Sequence, residues 1–221
     1  MKISKRLKMI GDLIPDNCRL LDIGCDHALL DIYVVNNKKN VKAVASDLHE
    51  GPLDQARKNI KSYKLEEKIE TRLANGLEAI DKNINTIVIS GMGGKNMLGI
   101  FKYSMDKISN INKIILSPNN DTSIIRTYLL KNGYFLEDEI MLEDKKIIYP
   151  ILVFKKGKKH YTKDEYYFGP IFLKKKDDIF IKYYQKELKQ KEALYKILPK
   201  QYLLKKISLK KEIKRINKVV I

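Results

Sequence analysis

The sequence predicts an α/β protein: a doubly wound, mostly parallel sheet with one antiparallel strand, followed by a basic helical tail. Three observations predict it. In residues 1–154, short apolar runs rich in Ile, Val and Leu alternate with stretches of helical spacing. Two strand-like runs then follow each other with only "EDK" between their apolar parts, the pattern of a closing hairpin. Beyond Phe154 the texture changes to lysine-rich helical periodicity.

Each element has its own signal. "SKRLKMIGDLIP" reads as a short amphipathic helix capped by Ser4. Strands are expected over 19–24, 41–47, 68–74, 85–90, 112–118, 134–142 and 146–154, and helices over 27–36, 51–63, 94–103 and 121–132. The last of these helices has a start signal at Asn120 to Thr122 and a stop at Gly133. "KKGKKHYTKDEYY" reads as a charged connector. Ile179, Phe180, Tyr183, Tyr184, Leu188, Leu194, Tyr195 and Leu198 then fall at helical spacing up to Pro199, which ends that helix. Leu203, Ile207, Ile213, Ile216 and Val220 form a rough second stripe, so an antiparallel helical hairpin is expected. The tyrosines are read as hairpin packing and the outer lysines as contacts for a polyanion. Two domains are expected, over 1–156 and 157–221.

Composition bounds the function. At 44% hydrophobic residues the chain can bury a real core. No run approaches the ~18 apolar residues of a membrane span, and the N-terminus lacks the pattern of a signal peptide. Two cysteines, Cys18 and Cys25, build neither a disulfide framework nor a metal set, which points to a cytoplasmic protein without a metal. The net charge is +17. Residues 1–154 carry 23 Lys+Arg against 20 Asp+Glu, and residues 155–221 carry 21 against 7. A codon bias explains lysine over arginine, but it acts along the whole chain. The one-sided excess points to nucleic acid bound by the tail.

The loop after the first strand, "DIGCDHALL", raises the question of ligand chemistry. Gly24 is its only glycine, and Asp26 and Leu29 stand where a dinucleotide fingerprint needs glycines. An acid at residue 26 repels a pyrophosphate by on the order of 1–4 kcal/mol. Acids suit a cationic ligand without phosphates, and S-adenosylmethionine, with its sulfonium and ammonium, fits. Helix-start amides near 26–28 are expected to take its carboxylate, and Asp22 and Asp26 its ammonium. Asp47 ends the second strand about 20 residues beyond Gly24, the place for a ribose-binding acid. Asn75 is placed to bind the adenine ring, with Gly76 turning the chain beside it. Gly91, Gly93 and Gly94 of "VISGMGGKNM" form a permissive loop that lets a target base approach the methyl group.

Together "SKRLKMIGDLIP", "DIGCDHALL", "DLHEGPLDQARKNI", "ANGLEAI", "ISGMGG", "LSPNND…IRTYLLKNGY" and "FGPIFLKKKDDIFIKYYQKEL" resemble the bacterial tRNA adenine-N1 methyltransferases acting at tRNA nucleotide 22, the family often called TrmK. The resemblance runs through nearly the whole chain. It implies a class I (Rossmann-like) methyltransferase with a seven-stranded, mostly parallel sheet and a C-terminal coiled-coil hairpin. It implies S-adenosylmethionine as donor and the tRNA D-arm as substrate, with 1–156 serving the donor and 157–221 the RNA. The implied donor-binding residues are Asp22, Gly24, Asp26, His27, Asp47, Leu48, Asn75, Gly76, Ser90, Gly91, Met92 and Gly93. This chain has Cys25 where the family commonly has serine, and Asn75 where it commonly has aspartate; the amide keeps an acceptor oxygen and loses the charge.

Adenine N1 has a free lone pair, so transfer needs no strong general base. Positioning and a preorganised pocket are expected to supply most of the rate. N1 lies on the pairing edge, so the base must leave its stack. Asp26 is expected to stabilise the charge of the product, with His27 and Asn119 orienting the base. "SGMGG" stands where enzymes that methylate the adenine amino group carry "[DNS]-P-P-[YF]", which favours a ring nitrogen. A monomer is expected. The alternative is a non-catalytic RNA-binding protein that retains the fold, and the acid set Asp22, Asp26 and Asp47 argues against it. A nicotinamide-dependent oxidoreductase lacks its glycines, and a small-molecule methyltransferase leaves the basic tail unexplained.

Overall fold

The computed structural model describes residues 3–102 and 104–220. It forms two compact units, residues 1–171 and 172–221.

The first unit is built on a seven-stranded sheet. Its strands are β1 (Arg19–Ile23), β2 (Lys42–Asp47), β3 (Ile69–Leu73), β4 (Thr86–Ser90), β5 (Lys113–Ser117), β6 (Tyr134–Asp144) and β7 (Ile147–Lys156). The order is β3-β2-β1-β4-β5-β7-β6. The first five strands pair in parallel, and β7 runs antiparallel to both β5 and β6. The central strands are almost wholly buried, which is why they read as continuous apolar runs. Helices α1 (Lys5–Leu13), α2 (Leu29–Asn37), α3 (Glu50–Ser62), α4 (Gly94–Lys102) and α5 (Thr122–Lys131) accompany them. Ser4 caps α1 by accepting from Leu7 N, as its position in sequence requires. The last residue of the expected 94–103 helix lies outside the described residues.

The expected hairpin closes the sheet. Lys145 and Lys146 form its two-residue turn, both at positive φ (50° and 66°). That is the handedness a tight hairpin needs, on side chains poorly suited to it. A register shift between Leu136 and Asp138 breaks the ladder, and Glu137 there binds Lys113 at 2.8 Å.

The stretch expected to be a connector is ordered. Thr162 and Glu165 form a reciprocal capping box that starts α6 (Lys163–Phe168), and α7 (Pro170–Lys175) follows Gly169. As far as Ile171 this segment belongs to the first unit. Tyr161 Oη accepts from Leu136 N at 3.2 Å, and Tyr167 O accepts from Arg126 Nη1 at 2.6 Å. The division between units therefore falls after residue 171, later than the 156/157 boundary read from the change in texture.

The second unit holds α8 (Asp178–Ile197) and α9 (Leu203–Val220). They run antiparallel: Lys191 Nζ meets Glu212 Oε2 at 2.6 Å, and Lys206 Nζ lies 5.4 Å from the centroid of the Tyr195 ring. Phe180 and Tyr184 are buried, whereas Tyr183 and Tyr195 are half-buried. On α9 the buried stripe runs through Leu209 and Ile216, whereas Leu203 and Ile207 are exposed. The expected stripe holds at Ile216 and fails at Leu203 and Ile207, which at 3.6 residues per turn lie off the face that carries Leu209 and Ile216.

Candidate active site

The strand order reverses between β1 and β4, and in open α/β sheets ligands bind at the carboxyl ends of the strands flanking such a reversal. The residues expected to bind a donor lie along this edge. Asp22 lies near the end of β1 and Gly24 just after it, Asp47 ends β2, and Leu48 follows it. Asn75 and Gly76 follow β3, while Ser90 ends β4 and leads into Gly91, Met92 and Gly93.

The β1–α2 loop is tied to its neighbour. Gly24 N and Cys25 N both donate to Ser46 O, at 2.8 and 3.0 Å. Gly24 sits at φ +75°, and a Cβ there would collide with the Met92 methyl group. Asp26 and Ala28 also take positive φ (53° and 54°), and α2 starts only at Leu29. The helix thus begins later than the expected residue 27. Ala28 N donates to Cys25 O at 3.0 Å, so of the three amides expected to meet a carboxylate one is already committed. Asp26 and His27 are exposed, with Asp26 Oδ1 3.6 Å from His27 Nε2. His27 O accepts from Asn59 Nδ2 at 2.9 Å, which fixes the loop against α3.

Asp22 lies deeper. It is 4% exposed, and Asp31, on the first turn of α2, is fully buried. Neither Asp31 oxygen meets a donor among the described residues. The two carboxyl groups face each other, and they form a hydrogen bond only when one of them carries a proton. Burial, then Asp31 and Asp47, holds Asp22 well above the usual carboxylate range; burial also pushes Asp31 up. Burial, then the same acids, keeps Cys25 a protonated thiol. Sequence reasoning used Asp22 as a charged partner for an ammonium and gave Asp31 no role in the site. Asp31 falls two residues into a helix, where an acid ordinarily faces solvent.

Asp47 is half-buried, and its Oδ1 accepts from His49 N at 3.0 Å. This turn contact is the plainer of the two roles its position allows, and it leaves the second oxygen for a ligand. Asn75 is exposed, and Leu48 is 58% exposed beside Asp47. The glycines of the β4–α4 loop serve close packing as well as access. A Cβ on Gly93 would lie 2.7 Å from Asn120 Oδ1, and one on Gly94 would strike the Asp121 backbone. Asn119 joins these loops: its N donates to Met92 O at 2.9 Å and its Nδ2 to Gly91 O at 2.5 Å. Its Oδ1 accepts from Arg6 Nη1 at 3.3 Å, so α1 reaches the same edge. Arg6 was not among the expected site residues.

The β1–α2 loop carries acids and lacks the repeated glycines that a pyrophosphate needs there. That donor set fits a sulfonium compound with an ammonium group. Among the described residues, no group of three or more His, Cys, Asp or Glu could hold a metal ion, and no helix is long and apolar enough to cross a membrane.

The fold and this edge define a Rossmann-like methyltransferase. The chain belongs to the TrmK family, tRNA (adenine(22)-N(1))-methyltransferases, whose family model matches residues 20–218. It is 34% identical over 202 residues to the tRNA (adenine(22)-N(1))-methyltransferase of Bacillus subtilis, covering 88% of this chain and 85% of that one. Streptococcus pneumoniae Sp1610, solved with S-adenosyl-L-methionine, superposes with a TM-score of 0.89 at 32% identity, covering 100% of both chains. M. capricolum TrmK, solved with S-adenosyl-homocysteine, superposes with a TM-score of 0.86 at 27% identity, covering 100% of this chain and 98% of that one.

Proposed function

We infer that this protein transfers a methyl group from S-adenosylmethionine to N1 of adenine 22 in tRNA. The observation that carries this reading is an acid-lined edge at the β1/β4 reversal, in a chain that matches the family along nearly its whole length. The donor supplies an electrophilic methyl group. The adenine N1 lone pair attacks it, and no base is needed to prepare the attack. The residues therefore work by placement and by field.

In this reading Asp47 holds the ribose hydroxyls and Asn75 the adenine ring of the donor. Leu48, Gly76, Ser90, Met92 and the loop glycines line its site. Asp26 is exposed at the mouth, where it stabilises the positive charge of the methylated base, with His27 beside it. Asn119 spends both ends of its amide on Gly91 and Arg6, which supports a role in holding the loops rather than in touching the base. Residues 172–221 carry 16 Lys+Arg against 5 Asp+Glu, a balance that supports RNA binding by the hairpin. In this reading the protein acts as a monomer in the cytoplasm.

The test is direct. The protein is incubated with S-adenosylmethionine and unmodified tRNA, and the digested RNA is analysed by mass spectrometry. 1-Methyladenosine mapping to nucleotide 22 is expected. Bound tRNA with no methylated nucleoside would replace this reading with that of a binding protein.

A further inference from the structure

We propose that Arg6 grips the phosphate flanking the target adenosine, an assignment that rests on the reading of this edge as the transfer site. In the first unit, Arg19 and Arg72 pair with Glu70 and Asp81, Arg57 with Glu50 and Asp54, and Arg126 with Glu139. Arg6 differs. Among the described residues no carboxylate lies within ion-pair distance of it. It is half-buried, so its charge is not simply a solvated surface charge.

Its surroundings hold it in place without neutralising it. The guanidinium carbon lies 4.6 Å from the centroid of the Tyr149 ring, and Nη1 donates to Asn119 Oδ1 at 3.3 Å. Stacking uses a face of the planar group and leaves its N–H edge for other partners. One of five donors is spent on a neutral amide. Nη2 lies 3.5 Å from where a Gly91 side chain would begin, which places the guanidinium edge against the β4–α4 loop. Helix α1 is itself anchored: Ile10 and Gly11 are buried, and Tyr33 Oη donates to Asp12 Oδ1 at 2.7 Å.

An uncompensated, oriented guanidinium beside the loops that would receive an extruded base has the geometry for a forked phosphate contact. Extrusion swings a nucleotide out by its backbone, so a phosphate must pass near the mouth of the pocket. The bond to Asn119 makes Arg6 part of the loop junction, so the grip also reports on the shape of the loop.

The experiment compares wild type, Arg6→Gln and Arg6→Lys at 50 to 200 mM salt. It measures tRNA affinity, KM and kcat for tRNA, and affinity for S-adenosyl-homocysteine. For Arg6→Gln the slope of log K against log salt becomes shallower by roughly 0.7–0.9, the signature of one phosphate no longer held. The advantage of wild type over Arg6→Gln in tRNA affinity therefore shrinks by about threefold across that range. KM for tRNA rises by a larger factor than kcat falls, and affinity for S-adenosyl-homocysteine is unchanged. Arg6→Lys keeps the slope and recovers part of the affinity. An unchanged slope in Arg6→Gln overturns the proposal, as does an effect confined to donor affinity. Wild type that binds tRNA without forming 1-methyladenosine would instead sink the functional reading.

Discussion

Two carboxyl groups buried side by side, Asp22 and Asp31, cannot both be charged without large cost, since neither Asp31 oxygen meets a donor among the described residues. Both therefore bind a proton more tightly when folded than when unfolded, where an aspartate titrates near 3.8. The native state holds more protons than the unfolded one above that pH, so this pair's contribution is fully present below it and is lost as pH rises through the folded values. We expect Asp31→Asn to weaken this loss. Its stability should gain on that of wild type by on the order of 1 kcal/mol per pH unit between about pH 4 and pH 7, the window between the unfolded and folded values of Asp31. Urea denaturation across that range checks it, and parallel pH curves for the two proteins would refute it. At the mouth, Asp26→Ala should lower the methyl transfer rate by about a hundredfold or more while leaving tRNA affinity nearly unchanged. Full activity in that variant would remove Asp26 from the mechanism.

At the level of elements, the β6–β7 hairpin and the α5–α6 contact are the most informative. Lys145 and Lys146 both hold the left-handed conformation, which costs an ordinary L-residue roughly 1–2 kcal/mol. Replacing them with Asn-Gly should raise stability by about 1 kcal/mol, read as a higher denaturation midpoint with an unchanged slope. Arg126 and Glu139 form a fully buried ion pair at 3.0 Å, and Glu139 Oε2 also accepts from Ile171 N at 3.0 Å. Together they stitch α5, β6 and the α6–α7 segment. Arg126→Met strands the Glu139 charge and should cost about 3–5 kcal/mol. A Tm equal to that of wild type would show that the pair is dispensable. The α6 segment was legible in part: Thr162 and Glu165 stand at capping-box spacing, but lysines on either side made the stretch look like a connector. The Arg126–Glu139 pair was not legible, since two charges 13 residues apart carry no sign of sharing one buried site.

For the whole molecule, the positive charge is concentrated in the last helices: residues 172–221 carry 16 Lys+Arg against 5 Asp+Glu. Changing Lys200, Lys205, Lys206 and Lys210 to Gln should weaken tRNA binding and flatten its salt dependence by roughly 0.7–0.9 for each phosphate released. Affinity for S-adenosyl-homocysteine should not change. An unaltered salt slope would mean that RNA is gripped elsewhere.

The sequence by itself determined the alternation of strand and helix, the closing hairpin, the acid-bearing first loop and the helical tail. These are local properties, written as apolar period, turn residues and charge. Tertiary structure alone decided which distant groups share a site. It buried Asp31 against Asp22, brought Arg6 from the first helix to Asn119, and interlocked Gly93 and Gly94 with the loop after β5. It also left Leu203 and Ile207 of α9 in solvent. The physical reason is the same in each case: periodicity fixes which face of an element is apolar, whereas the identity of the neighbour across a contact is set by how the layers pack.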